Sequence, residues 1–455
     1  MGSYLSPISL PPSVLPELVS AGYDQVCIIS SFSLYCWGNN DAGQLGIEST
    51  NVIGDGVNEM GVNLMPTDLG VGAEVTFVDS GDDSTCAILD WQNMKCWGNG
   101  YYGQLGYGDS SIRGSGAGEM GDYLPVVDFG SGQVPVEVHT SHYRTCVLST
   151  FQDFKCFGAG YWGMLGTGDY YWRGNSANEM GDNLPFTYFG SGQYASSFSM
   201  GEIHTCVIIQ STAKVKCFGS NLYGEFGVGS KLDQGGKATT SGKYMKASML
   251  GSNLGAMQVS AGQYFTCVLL DSYMIKCFGL NDKGQLGYGD IENRGDDANE
   301  MGDYLPYVSL GSGKTVTSVH LGKEHVCATL NDNSFKCFGN NEFGQLGSGD
   351  PKSRGNTTSQ MGDYLMAVNL DGDMVQECFD FNPTSSPTNT YSPSLTTTFE
   401  PTQPTIAPTM RPTFDLPYVP INGSAIGTTQ VEVAYGVTGF NYYYYLCDLN
   451  DLCFK

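Results

Sequence analysis

Basic residues are few. Lys and Arg number 21 against 46 Asp and Glu in 455 residues, a formal charge of −25. Phosphate-rich partners are attracted by a cationic face, so this balance speaks against general binding to nucleic acid or to anionic membrane. Nowhere do 18 apolar residues run uninterrupted, so the chain contains no candidate transmembrane helix. Met1 to Leu18 has neither a basic n-region nor a continuous apolar stretch and does not read as a signal peptide. Histidine is scarce as well: His139, His142, His204, His320 and His325 are the whole set. His139 and His142 read as surface neighbours at a strand edge rather than as a ligand pair. No Gly-x-Ser-x-Gly, His-Glu-x-x-His or phosphate loop occurs. The carboxylates are spread evenly rather than gathered as a glycosidase pair. No catalytic set assembles, and no cofactor is implied.

What is abundant is glycine, 62 residues, about twice the usual share. Hydrophobic residues make up 41% and aromatics 12%, enough to fill a core. The glycines belong to a repeat. Cysteines pair as Cys27/Cys36, Cys86/Cys96, Cys146/Cys156, Cys206/Cys217, Cys267/Cys277 and Cys327/Cys337, with the first members 59 to 61 residues apart. An aromatic and a glycine follow each second cysteine, as in Trp97-Gly98 and Phe338-Gly339. A Gly-Gln-Leu-Gly block comes next, as in Gly43 to Gly46 and Gly344 to Gly347, varied to Gly163-Met164-Leu165-Gly166 and Gly224-Glu225-Phe226-Gly227.

Within a unit the apolar runs are short and bounded by Gly, Asp and Asn, which predicts strands. In the fifth unit these end at Val259 to Gly262, then span Thr266 to Leu270, Met274 to Phe278 and, after a long polar loop, Tyr304 to Leu310. No segment sustains a 3.6-residue period. A repeated unit of about 60 residues with four strands is the signature of a β-propeller, whose blades stack because one alone cannot bury both faces.

These residues resemble the repeats of the regulator of chromosome condensation family. Gly201-Glu202-Ile203-His204-Thr205-Cys206 and Cys337 to Gly347 match its pattern closely, and the likeness runs from about residue 5 to 370. The resemblance implies an all-β propeller, usually of seven blades in that family. Six complete units are visible here, with further strand candidates at Leu5 to Leu10 and Met374 to Phe381, so six to seven four-stranded blades are expected. The family's histidine position holds Gln25, Ser84, Arg144, His204, Phe265 and His325. The paired cysteines are a second departure from the nuclear members.

Eight to ten residues separate the members of each pair, placing them on adjacent antiparallel strands within disulfide reach. Closing such a loop contributes on the order of 2.5–3 kcal/mol per bond in the chain-entropy model. No Cys-x-x-Cys spacing suggests zinc, and disulfides on this scale need an oxidising compartment. Cys447 and Cys453 are candidates for a seventh bond, which leaves Cys378 free or bonded elsewhere.

A second repeated text lies in the inserted loop. Asp109/Arg113, Asp169/Arg173, Asp290/Arg294 and Asp350/Arg354 recur, followed by Glu-Met-Gly-Asp or, at Gln360 to Asp363, Gln-Met-Gly-Asp. Calcium binding by the acids is one reading. An Arg–carboxylate clasp with Met packed beneath is the favoured one, because the arginine supplies the positive charge. Unit 1 lacks the arginine. Unit 4 replaces the text with the more basic Lys231 to Met249, expected to be a loop freed for a protein partner.

Three segments are expected: a propeller over 1–382, a linker over 383–416 and a partial β-rich module over 417–455. Residues 383–413 hold 7 Pro and 10 Thr, which predicts a disordered, extended stalk. Threonine with proline also suits O-glycosylation, and Asn356 and Asn422 begin N-glycosylation sequons. Tyr442 to Tyr445 is read as strand packing or, less favoured, as a sugar-stacking run. The stop soon after Cys453 reads as a fragment of something longer, with any signal peptide or anchor outside it.

The expectation is a non-catalytic, extracellular or cell-surface protein-interaction module. The family resemblance offers guanine-nucleotide exchange on a small GTPase as an alternative, and a proteinaceous enzyme inhibitor is a third reading.

Overall fold

The computed structural model describes residues 6–89 and 93–369, together with the backbone of three strands at Glu432–Thr438, Asn441–Cys447 and Cys453–Phe454. It is all-β, with short 3₁₀ turns and no α-helix among the described residues. Six antiparallel three-stranded sheets follow one another along the head. Their strands are Leu18–Ala21, Gln25–Ser30 and Ser33–Gly38 in unit 1, and Val75–Ser80, Ser84–Leu89 and Asn93–Gly98 in unit 2. Unit 3 has Pro135–Thr140, Arg144–Ser149 and Phe154–Gly158; unit 4 has Ala195–Met200, His204–Ile209 and Lys214–Gly219. Unit 5 has Ala256–Ala261, Phe265–Leu270 and Ile275–Gly279; unit 6 has Val316–Leu321, His325–Leu330 and Phe335–Gly339.

The fourth strand expected in each unit is not formed. Where Tyr304 to Leu310 was to be a strand, a 3₁₀ turn at Gly302–Tyr304 leads into a segment held to the third strand by the bond from Val308 N to Ile275 O. Thr67, Val127, Thr187, Ser248 and Val368 hold the other units in the same way. Proline gives the reason in four units: Pro66, Pro125, Pro185 and Pro306 follow the 3₁₀ turn and cannot donate to a ladder. Unit 4 has Lys246 there, and it adds a bridge between Lys216 and Ala247. Residues 6–10 form no strand either; Ser9 O accepts from Gly61 N in the inserted loop of unit 1.

Burial comes from sheet-on-sheet stacking. Cys27, Leu34 and Leu45 of unit 1 share a core with Val78, Ala87 and Trp97 of unit 2. Similar clusters join units 3 and 4, 4 and 5, and 5 and 6. The middle strands of units 2 to 5 are buried along their whole length, whereas His325–Leu330 alternates between half-buried and buried. Close stacking explains the second glycine of the Gly-Gln-Leu-Gly block. Gly46 has φ +66°, and a Cβ there would lie 2.8 Å from the Trp97 indole nitrogen and 2.7 Å from Met120 Cε.

Glu432–Thr438, Asn441–Cys447 and Cys453–Phe454 form a separate three-stranded sheet, in which the last two strands pair antiparallel with Cys447 in register with Cys453. Met374 to Phe381, Cys378, the 383–416 linker and Asn422 lie outside the described residues. No helix among the described residues is long and apolar enough to cross a membrane.

Candidate functional site

The cysteine pairs sit in register on the second and third strands of each unit. Disulfides join Cys27–Cys36, Cys86–Cys96, Cys146–Cys156, Cys206–Cys217, Cys267–Cys277 and Cys327–Cys337, with Cα atoms 4.0–4.1 Å apart. They harden the hairpins that carry the loops.

On the inserted loops, Arg113 Nη2 lies 2.8 Å from Asp109 Oδ2, Arg173 from Asp169 at 2.8 Å, Arg294 from Asp290 at 2.7 Å and Arg354 from Asp350 at 2.9 Å. Hydrogen bonds from Arg113 hold the Asp109 carboxyl down at about 2. The glutamates of the same text do something else: Glu119 accepts from Ser115 N and Gly116 N, and Glu300 from Gly295 N and Asp297 N. The aspartates reach back to the preceding unit, as Asp182 does to Ser131 N and Oγ. These acids are occupied by protein donors, and no group of acids, cysteines or histidines among the described residues is arranged to hold a metal ion.

The loop Lys231 to Met249 is tied at several points. Gln234 takes the arginine's place, donating to Cys217 O and accepting from Lys246 N, and Lys231 pairs with Asp296 at 2.8 Å. Its face toward solvent carries Lys237, Lys243, Lys246, Leu232 and Tyr244, all exposed. Asn356 is half-buried on the unit 6 loop.

The position of the family histidine is a staple between units. Gln25 Nε2 donates to Thr85 Oγ1, the Ser84 hydroxyl meets that of Thr140, and His204 Nε2 meets Thr266 Oγ1 at 2.9 Å. Burial drives the His204 imidazole down to about 3, so it is neutral. Arg144 is the largest of these staples. Fully buried, it donates to the carbonyls of Gly201, Glu202 and His204 and to Thr205 Oγ1.

His139 is not on the surface. It is buried between Asp79 (3.2 Å) and Glu137 (3.1 Å). Although burial opposes its charge, these carboxylates push it up to about 10, making it a structural cation. The strand alternation that turns His139 inward places it against the neighbouring sheet, where Phe198 packs edge-on to it.

One recurring residue is not among the expected site residues: the lysine before the second cysteine. Lys95, Lys155, Lys276 and Lys336 are buried, each donating Nζ to two loop carbonyls, such as Leu250 and Gly302 for Lys276; Lys216 donates to Phe189 O. Its recurrence in five of six units was the available signal.

The turns between first and second strands meet at one end of the stack. Their tips are Tyr23, Asp82, His142, Glu202, Gln263 and Lys323, one per unit. Gln263 Nε2 donates to Glu202 Oε2, His142 Nδ1 lies 3.5 Å from Asp83, and Lys323 lies 3.9 Å from Glu202 and 4.2 Å above the Tyr23 ring.

Stacked, disulfide-pinned units of about 60 residues, with their turns converging at one end, define a repeat β-propeller. Family models for the regulator of chromosome condensation repeat match residues 33–88 and 258–285. These two segments are thus similar to regulator of chromosome condensation repeats, and the same cysteine-paired unit recurs six times along the head. The chain is 25% identical over 263 residues to the ultraviolet-B receptor UVR8 of Arabidopsis thaliana, 57% of this chain and 51% of that protein. It is 23% identical over 333 residues to the human E3 ubiquitin-protein ligase HERC2, 73% of this chain but 6% of that protein. The chain therefore spans about half the length of the first relative and a small part of the second. Among solved structures it resembles human WBSCR16 (TM-score 0.58, 16% identity, 79% of this chain and 83% of that one). It also resembles Saccharomyces cerevisiae Prp20p, a structure described with its binding properties to Gsp1p and histones (TM-score 0.57, 16% identity, 77% and 76%). At this identity the structures speak to the fold.

Proposed function

We propose that this chain is an extracellular or cell-surface protein-interaction module with no catalytic chemistry of its own. The observation that carries the reading is the set of six disulfides, one in every unit, which calls for an oxidising compartment. The charge of −25 and a Thr/Pro-rich segment over 383–416, read as an extended stalk, support it. The docking surface is the unit 4 loop, whose exposed lysines and Leu232 and Tyr244 stand out on an acidic head.

The test is binding of labelled head to unpermeabilised cells, compared with a chain in which residues 291–309 of unit 5 replace 231–249. Binding lost in the replacement supports the reading; binding unchanged contradicts the assignment of the loop. Prp20p and its Gsp1p binding keep nucleotide exchange as the competing activity, and faster nucleotide release from a small GTPase in the presence of the head would favour it.

A further inference from the structure

The two residues before each Gly-Gln-Leu-Gly block differ from unit to unit. They are Asp41-Ala42, Tyr101-Tyr102, Tyr161-Trp162, Leu222-Tyr223, Asp282-Lys283 and Glu342-Phe343. Aromatics therefore concentrate on units 2 and 3. There they form one connected cluster. Trp172 meets Tyr102 at 5.3 Å and Tyr161 at 5.2 Å between ring centroids, Tyr102 meets Tyr143 at 5.2 Å, and Tyr161 meets Trp162 at 5.7 Å.

The rings are not there to fill a core. Tyr101 is 62% exposed and Trp162 48%. Trp162 also has φ +51°, a conformation costly for a bulky side chain and adopted at none of the five equivalent positions. An exposed indole retained in a strained backbone position points to use rather than to packing.

Charge defines what such a surface takes. The tips and following residues of the six turns include Asp24, Asp82, Asp83, Glu202 and Glu324 against Lys323 alone, five acids minus one lysine, a formal −4. His142 connects this group to the aromatics: it sits 3.5 Å from Asp83 and 5.8 Å, centroid to centroid, from Tyr102. The molecule already shows the matching chemistry, since Lys323 places its ammonium over the Tyr23 ring and near Glu202. Aromatic faces beside carboxylates attract Lys and Arg side chains through the ring quadrupole and the charge together.

We propose that the turn end of units 2 and 3 is a docking surface for a Lys/Arg-bearing peptide segment of a partner, its cations seated on Tyr102 and Trp162 and steered by Asp82, Asp83 and Glu202. This deepens the interaction-module reading by adding a surface distinct from the unit 4 loop.

The probe is a fluorescein-labelled octa-arginine peptide, with octa-glutamate and octa-serine as comparisons, followed by anisotropy with the whole chain at low and moderate salt. Binding is expected for octa-arginine only, weakening as salt rises. Tyr102→Ala with Trp162→Ala, which leaves the charge unaltered, should weaken it at least about fivefold. Asp82→Asn with Asp83→Asn should weaken it more than Glu292→Gln with Asp297→Asn, which removes the same charge from the exposed unit 5 loop. Trp162→Phe should retain most of the binding, separating ring chemistry from misfolding. Equal losses in the two charge-removal pairs, or full binding by the aromatic double variant, would overturn the proposal. So would a dimer in sedimentation that Trp162→Ala dissociates while octa-arginine fails to bind, because the surface would then serve a second copy. The chain carrying the 231–249 replacement should bind octa-arginine normally, so failure here and failure of the loop assignment can be told apart.

Discussion

Arg144 Nη2 donates 2.7 Å to the carbonyl oxygen of His204, the residue at the same position one unit later. Among the described residues no carboxylate lies within bonding distance of the guanidinium; three carbonyls, the Thr205 hydroxyl and the Met164 sulfur surround it. Burial holds its pKa down to about 9, with Glu202 acting weakly the other way. Replacing Arg144 with methionine leaves these acceptors unpaired between units 3 and 4. A loss of about 3–5 kcal/mol is expected in urea unfolding, with Arg144→Lys intermediate because an ammonium cannot reproduce the fork.

Glu225 stands where four of the other units have glutamine. One of its oxygens accepts from Tyr223 N, while the other, Oε1, is buried with no donor among the described residues. In unit 2 the corresponding Gln104 amide donates to His142 O. Burial pushes the Glu225 carboxyl up to about 8. The folded pKa lies above the ordinary one, so its ionisation opposes folding and stability falls as pH rises from about 4.5 through 8. Glu225→Gln should remove that fall, gaining a few kcal/mol at pH 8 and little at pH 4.5. Melting curves of the two proteins across this range check it; parallel pH profiles would count against a buried acid.

The Asp109–Arg113 clasp predicts the opposite slope. Asp109 is held below its ordinary value, so its contribution is present above about pH 4 and lost as pH falls toward 2. The pair is partly exposed, so Arg113→Ala should cost no more than about 1 kcal/mol. Because the acids of these loops are occupied by protein donors, millimolar calcium should leave the melting temperature of the head unaltered. A calcium-induced rise of several degrees would favour the metal reading of the same residues.

Lys276 should matter more than its place in a polar-looking Lys-Cys-Phe run suggests. Lys276→Met strands the carbonyls of Leu250 and Gly302, and an unfolding loss of about 1–3 kcal/mol is expected. Lys283, only partly buried and paired with the exposed Asp282, should be replaceable at almost no cost.

These residues show where the sequence was legible. The period, the cysteine pairs and the Asp/Arg text could be read because each repeats the same residue for the same local reason. The fourth strand is not legible because Tyr304 to Leu310 has strand composition while Pro306 removes the donor a ladder needs. Lys276 is not legible because a lysine between apolar residues looks like a solvated face, and only the folded loops bring two carbonyls to it. His139 is buried rather than at the surface because Asp79, which lies 60 residues earlier, holds it inside. The turn tips were invisible for another reason. Tyr23, Asp82, His142, Glu202, Gln263 and Lys323 have no common chemistry, so alignment of the repeats treats them as noise until stacking gathers them.

Oxidised cysteines throughout the head are the feature on which an extracellular role rests. The chain has 15 cysteines, and 12 lie in the six bonds. Titrating free thiols on denatured, unreduced protein purified from its native source should therefore find one to three per chain. Twelve or more would contradict the disulfide-pinned, extracellular head.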